Sequence, residues 1–318
     1  LSQPISTQLD SLFIELNELW ETFNKELKKD NLKHLRYDEK EKTLHWQKPD
    51  VKKDVKLQSK FYRQMKLRDV TDVLRCVNKR CDFMPAFTHI QPRYSKQQVK
   101  EDCLIGTLIA QAMNNGNLNM ADISDIPYAD LQDTLQSRVR IATLKNACNL
   151  ISNDISRMPI FPFYSFDLEI LYGGVDGQKL EAGTPTLKTR FSKKYFKKGK
   201  GIVAYTLLAN HIPLQVELIG ANEHESYFLF DIWYNNTSAI SPDIVTGDMH
   251  SINRANFAIM HWFNGKLYPR FTDIEAQRIH LFSEKDKPEY EKYLIKPHGQ
   301  INRDLIESEW PNLQRIIA

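Results

Sequence analysis

Residues 172–181 read YGGVDGQKLE. The glycine entry predicts a strand with an acid, Asp176, inside it. A carboxylate buried in a strand costs free energy unless something pairs with it. Asp176 is therefore either a turn residue beside glycine or a group that holds a cation, and the ten residues alone leave both readings open.

The segments that follow set the context. GIVAYTLLANHIPLQVELIGA (201–221) predicts two β-rich runs around a turn at His211–Pro213, and ESYFLFDIWYNN (225–236) predicts a helix. DIVTGDM (243–249) is a short strand ending on an acid. SINRANFAIMHWF (251–263) is a helix with Ser251 as its N-cap, and GKLYPRF (265–271) is a further strand. The order strand, strand, strand, helix, strand, helix, strand is that of a ribonuclease-H-like domain, although several mixed α/β folds share it.

Upstream the chain reads as helical. Leu9, Leu12, Phe13, Leu16, Leu19, Trp20, Phe23 and Leu27 step by three and four along one apolar face, packed in a core or against a second copy. Residues 28–60 are Lys-rich and read as a solvated loop or linker. Helices are expected over VTDVLRCVNKRC (70–81), over KEDCLIGTLIAQAMNNG (100–116) with Gly116 as C-cap, and without a break from Asp130 to Asn153. Pro159 and Pro162 end the helical pattern. The expected architecture is α+β: an all-α scaffold or dimerisation region over 1–160, then an α/β domain of ribonuclease-H-like order over 161–318.

Composition narrows the class. A chain of 318 residues suggests two domains, and 42% hydrophobic residues suffice for their cores. A net charge of +3 does not mark a nucleic-acid binder, so any basic surface must be local. Cys76, Cys81, Cys103 and Cys148 lack the second Cys/His pair of a zinc site, with only His89 nearby, and read as buried thiols of a reducing cytoplasm. No apolar run reaches the ~18–20 residues of a membrane span, and no signal peptide is visible. The chain opens on Leu1 and stops inside the helical pattern WPNLQRIIA, which suggests a fragment of a longer polypeptide.

Three groups of residues carry candidate chemistry. Asp176 lies in the first strand of the domain and Asp248 at the end of the fourth, and a sheet of this order makes those strands neighbours. Two adjacent carboxylates repel, and a divalent cation relieves the repulsion. Mg²⁺ suits carboxylates with water and phosphate oxygens, and two such ions about 3.5–4 Å apart activate a water or a 3′-hydroxyl. FDLEIL (166–171) offers a second pair, Asp167 and Glu169, in the D-x-E pattern of proofreading exonucleases; the same two residues also read as solvent-facing acids ahead of a strand. KTRFSKKYFKKGK (188–200) has seven Lys/Arg, no acid, and the aromatics Phe191, Tyr195 and Phe196. That composition suits phosphate neutralisation with base stacking, or equally a surface loop with core-facing rings. His250 and Asn253 stand at a helix entrance, where they contact phosphate or cap the helix. Walker, Rossmann and nucleophile-elbow motifs are missing.

The ordered segments resemble the Tn-three family of DDE transposases. VDGQKLEAG (175–183) with TRFSKKYFKKGKGIVAYTLLANH (189–211) is similar to that family's first catalytic segment, and DIVTGDMHSINRANFAIMHWFNGKLYPRFTDI (243–274) to its second. HGQINRDLIESEWPNLQRI (298–316) resembles the segment downstream, and AFTHI (86–90) with LIAQAMNNG (108–116) the helical region upstream. Val175 stands where the family has a small residue, and Gly247 where it has a Thr, with Thr246 one place earlier.

The resemblance implies Mg²⁺- or Mn²⁺-dependent cleavage at transposon ends and strand transfer into target DNA, in a bacterial, nucleoid-associated cytoplasmic protein without membrane attachment and with a homodimer as a candidate assembly. It makes Asp176 and Asp248 catalytic metal ligands, and gives DNA contacts to Arg190, Lys193, Lys194, Lys197, Lys198, Lys200, His250 and Asn253. The third acid of the family, a Glu, is expected beyond residue 318; Glu284, Glu307 and Glu309 lie too early. On that expectation residues 1–318 alone carry out no strand transfer. A D-x-E exonuclease and a non-catalytic DNA-binding or dimerisation module are the alternatives.

Overall fold

The structure is a computed structural model that describes residues 4–47, 63–94 and 96–317. The chain forms two compact units, one over Leu1–Gln58 and Arg270–Ala318, the other over Ser59–Pro269.

In the first unit, α1 spans Ile5–Lys28. Leu9, Phe13, Trp20 and Leu27 are its buried face, whereas Leu12 and Leu19 of the expected stripe are exposed. The buried stripe is thus narrower than the sequence periodicity implies. Trp20 and Leu27 pack with Leu44, Tyr290 and Ile295. The buried Asn24 is satisfied at both ends: its amide donates to the Trp20 carbonyl (3.0 Å) and its oxygen accepts from the Ile295 N–H (2.9 Å). Residues 28–47, expected to be a solvated linker, instead carry a hairpin of β1 (Leu35–Asp38) and β2 (Thr43–Trp46). Asp38 closes its turn by accepting from the N–H groups of Lys40 and Glu41, at 2.8 and 3.1 Å. Leu44 supplies the buried anchor that its charged neighbours obscure. The rest of the expected linker, 48–60, lies outside the described residues. The unit ends in a helix over Arg303–Ile317, whose Arg303 binds Asp10 and Glu307 at 2.7 Å each.

The second unit opens with helices α2 (Val70–Cys81), α3 (Glu101–Ala112), α4 (Gly116–Ile123), α5 (Tyr128–Arg138) and α6 (Ile141–Ser156). The single helix expected over 130–153 is therefore two. Val139 and Arg140 are extended, and the Thr143 hydroxyl accepts from the Arg140 N–H (3.0 Å), a cap that starts a new helix. Gly116 opens α4 rather than capping α3, with a φ of +73° that glycine adopts without strain. Of the four thiols only Cys103 is buried; Cys76 and Cys148 are exposed, so the buried-thiol reading fails for them. Their helices present these positions to solvent.

The sheet follows: β3 (Tyr172–Glu181), β4 (Arg190–Phe191), α7 (Lys193–Phe196), β5 (Lys200–Ala209), β6 (Ile212–Gly220), α8 (Leu229–Tyr234), β7 (Ile244–Gly247), α9 (Arg254–Trp262) and β8 (Lys266–Leu267). β6 and β4 share one edge of β5, and the order continues β5–β3–β7–β8. The first three long strands are antiparallel and the last two parallel to β3, in agreement with the ribonuclease-H-like expectation. The expected turn at His211–Pro213 sits one residue earlier, at Asn210–His211, with φ of 45° and 67°. These are the left-handed values a two-residue hairpin loop needs. Pro213 falls within β6, where the register shifts opposite Leu207/Leu208. One buried cluster joins Val175, Tyr205 and Leu207 of the strands to Leu229, Ile232 and Met260 of α8 and α9. The helical segment meets the sheet through Ile155 and the Ser152 hydroxyl, which donates to the Pro213 carbonyl (3.4 Å). Residues 157–171, between α6 and β3, are where helix gives way to strand.

Candidate active site

β3 and β7 are paired from Tyr172↔Ile244 to Val175↔Gly247. The next residue of each strand is an aspartate, Asp176 and Asp248. Strands in a sheet lie about 4.8 Å apart, so the register brings the two acids abreast where β7 ends. The carboxyl end of a parallel strand is where open α/β sheets present their ligands. Alternation puts Asp176 on the face opposite the buried Val175 and Gly177, and Asp176 is exposed.

The local sequence explains why β7 stops there. A Cβ on Gly247 would collide with the Ser251 side chain and with Val175, so this position has no room for the Thr that the resemblance suggested. Asp248 then accepts from the His250 N–H (2.9 Å) and caps the short turn Met249–Ser251. Asp176 accepts from the Gly177 N–H (2.8 Å). Among the described residues neither carboxylate takes part in an ion pair. The N-cap of α9 is Asn253, whose side chain accepts from the Ala255 N–H (3.0 Å), and not Ser251, which is buried in the preceding turn.

Behind the two aspartates is a polar layer that sequence reasoning missed. Glu225, 6% exposed, forms an ion pair with Lys179 of β3. Its carboxylate lies where a Cβ on Gly177 would be, so a larger residue after Asp176 would displace the Glu225 carboxylate from this position. The Lys179 ammonium also donates to the Gly177 carbonyl (2.9 Å) and lies 5.3 Å from the Tyr195 ring centre. The only signal in sequence was a Glu at a helix entrance, which reads as an ordinary cap. Beside this pair the hydroxyls of Tyr205 and Ser251 are buried near one another but outside hydrogen-bond geometry, with no other partner among the described residues.

Burial pulls the Lys179 pKa down, but its hydrogen bond to Glu225 and that residue's charge overcome this, and the net shift is upward. Burial foremost raises the Tyr205 phenol; Ser251 pulls the other way, and the charges of Glu225, Asp248 and Asp176 add to the rise. Both groups hold their protons to higher pH when folded than when unfolded. Their contribution is complete below the unfolded values of about 10 and is lost as pH rises through the folded ones, by up to about 1.4 kcal/mol per pH unit and group. Urea unfolding at pH 9, 10 and 11 should show that decline. Tyr205→Phe, which removes an unpartnered hydroxyl, should change stability at pH 8 by no more than about 1 kcal/mol and make the alkaline decline shallower.

The basic tract occupies β4, α7 and the approach to β5. Lys193, Lys194, Lys197, Lys198 and Lys200 are exposed, and none is in an ion pair among the described residues. Arg190 instead donates to the carbonyls of Leu187 (2.8 Å) and Thr189 (3.0 Å). Phe196 packs against Gly201, where a Cβ would strike its ring, and Tyr195 lies against Lys179 and Lys194. His250 is exposed, its ring centre 6.2 Å from that of His224.

Asp167 and Glu169 lie in the irregular segment before β3, both exposed, with Asp167 accepting from the Glu169 N–H (2.9 Å). They are the solvent-facing acids of the second reading and not residues of the first strand. Glu284 binds Asn17 (2.9 Å), Glu307 pairs with Arg303, and Glu309 accepts from Asn312 (2.7 Å), all within the first unit. Also in that unit, ligand atoms of Asp38, Glu41 and His45 come within 4.8 Å of one another. The Asp38 carboxyl is held below its usual range by the N–H groups of Glu41 and Lys40 and is already spent on the hairpin turn.

The family model of the Tn3 transposase DDE domain matches residues 72–318, more than three quarters of the chain. The chain belongs to that family. DNA transposition by a DDE transposase, a polynucleotidyl transferase, is therefore its kind of function, and DNA is the substrate this family implies. The matched span holds the whole sheet of the transposase domain, the aspartate pair and the basic turn. Among the described residues no helix is long and apolar enough to cross a membrane.

Proposed function

We propose that Asp176 and Asp248 are the first two carboxylates of the DDE site and together hold a divalent metal ion, Mg²⁺ by preference, for cleavage of transposon ends and strand transfer into target DNA. The observation that carries this reading is the β3–β7 register, which ends on the pair Val175↔Gly247 and leaves the two aspartates side by side. The donor set fits the ion: hard carboxylate oxygens, near the surface, with no lysine or arginine paired to them among the described residues. When bound, the metal supplies Lewis acidity toward a phosphate oxygen and toward the attacking hydroxyl.

The chain's own groups do the positioning. The backbone N–H of Gly177 and that of His250 each fix one carboxylate oxygen, which orients both acids before substrate arrives. The lysines of the 188–200 turn attract the DNA backbone, and His250, exposed next to Asp248, stands where a scissile-strand phosphate would approach. The helices over 70–156 serve as the scaffold behind the sheet.

Nicking of a transposon-end duplex by the transposase, with Mg²⁺ present or replaced by Ca²⁺, tests the reading; equal nicking without Mg²⁺ would sink it. The basic turn has its own test. Replacing Lys193, Lys194, Lys197 and Lys198 with Gln should weaken duplex binding. It should also flatten the slope of log K against log salt by about 0.9 for each phosphate that the turn no longer neutralises. An unchanged slope would place DNA elsewhere.

A further inference from the structure

We propose that Lys179 is a positioning residue for the reaction: paired with Glu225 and covered by Tyr195, it locks the basic turn to the catalytic strand so that a bound phosphate is held in line with Asp176. The inference deepens the functional reading and rests on Asp176 being catalytic.

Three distant parts of the chain meet on one ammonium group. Lys179 lies three residues beyond Asp176 on β3, Glu225 precedes α8, and Tyr195 belongs to α7 in the basic turn. The ammonium also ties down the carbonyl of Gly177, the residue after Asp176 (2.9 Å). On its β5 side the turn is held by the two-residue ladder Arg190↔Gly201 and Phe191↔Lys200 and by Phe196 on Gly201. Those contacts anchor it to β5. On the β3 side the Glu181 side chain lies against Gly199 and the Ala182 N–H donates to the Lys200 carbonyl (2.9 Å), both at the far end of the strand from Asp176, so Lys179 is the tie nearer the catalytic acid.

The chemistry of the pair argues for a role beyond stability. Glu225 is 6% exposed and the Lys179 side chain 23%. Two charges withdrawn from water to that extent gain little over an apolar pair of the same shape. A fixed cation facing an aromatic ring, however, sets distance and direction between two segments. A turn that keeps its charges but loses this lock still binds DNA, but lets the phosphate drift, and misplacement by about 1 Å costs on the order of a hundredfold in rate.

The test uses the paired variant Lys179→Met/Glu225→Gln, which removes the lock without leaving a buried charge alone, and reads two signals. Hydrogen exchange of the Phe196 and Gly199 amides should accelerate by about tenfold or more while that of β5 stays put. Cleavage of a transposon-end duplex should lose about 10- to 100-fold in kcat with KM within about threefold, and Lys179→Arg, which keeps charge and ring contact, should recover most of the rate. Unchanged exchange in the turn, or unchanged kcat in the paired variant, would overturn the proposal. Failure of the underlying reading looks different: Asp176→Asn would then retain cleavage, whatever the exchange of the turn shows.

Discussion

Asp176→Asn or Asp248→Asn should lower transposon-end cleavage and strand transfer by on the order of 10³-fold or more, with duplex affinity changed by less than about threefold. Asparagine keeps the shape of each side chain, so the N–H of Gly177 and that of His250 still find an acceptor and the fold is preserved. What disappears is one negative charge of the pair that offsets a divalent cation and orients it toward phosphate. Affinity stays because the basic turn supplies its charge from another part of the chain. The measurement is single-turnover cleavage beside a filter-binding or anisotropy titration of the same duplex. Full cleavage by either variant would remove both aspartates from the catalytic role.

Lys179→Met alone should destabilise the second unit by about 3–5 kcal/mol, because it leaves the Glu225 carboxylate buried without a partner. Adding Glu225→Gln should return most of that loss, since the amide carries no charge for burial to leave unpaired. Urea midpoints of the parent, the single and the paired variant measure the effect. A single variant as stable as the parent would mean that Glu225 finds water or another donor, and that the pair is not a buried strut.

The fold was legible where one strand or helix has one clear period. The strands at 172–181 and 201–221, the helices following them and the order of all seven elements were readable because each shows alternation or a helical stripe bounded by glycine, proline or a cap. Contributions from single polar side chains were not readable. A hydroxyl, Thr143, splits one expected helix into two, and a single leucine, Leu44, turns a charged stretch into a hairpin. The thiols of Cys76 and Cys148 face water because helix packing, not residue type, decides which side of α2 and α6 is covered. The site divided the same way. Asp176 and Asp248 stood out as acids within β patterns, and sheet order made them neighbours. Glu225 did not stand out, because its importance lies in a partner 46 residues away and in a glycine whose missing side chain makes room for it. Pairings over such separations leave no periodic trace in the chain.

The most direct test of the central claim is a change of metal preference. In the transposase, Asp176→Cys and Asp248→Cys place a soft thiolate where a hard carboxylate stood. Mg²⁺ disfavours that ligand, and Mn²⁺ tolerates it better. The prediction is that each variant loses transposon-end cleavage in Mg²⁺ by on the order of 10³-fold and regains a measurable part of it in Mn²⁺. A Cys variant that cleaves in Mg²⁺ as well as the unsubstituted enzyme would contradict it, and the two aspartates would not be metal ligands.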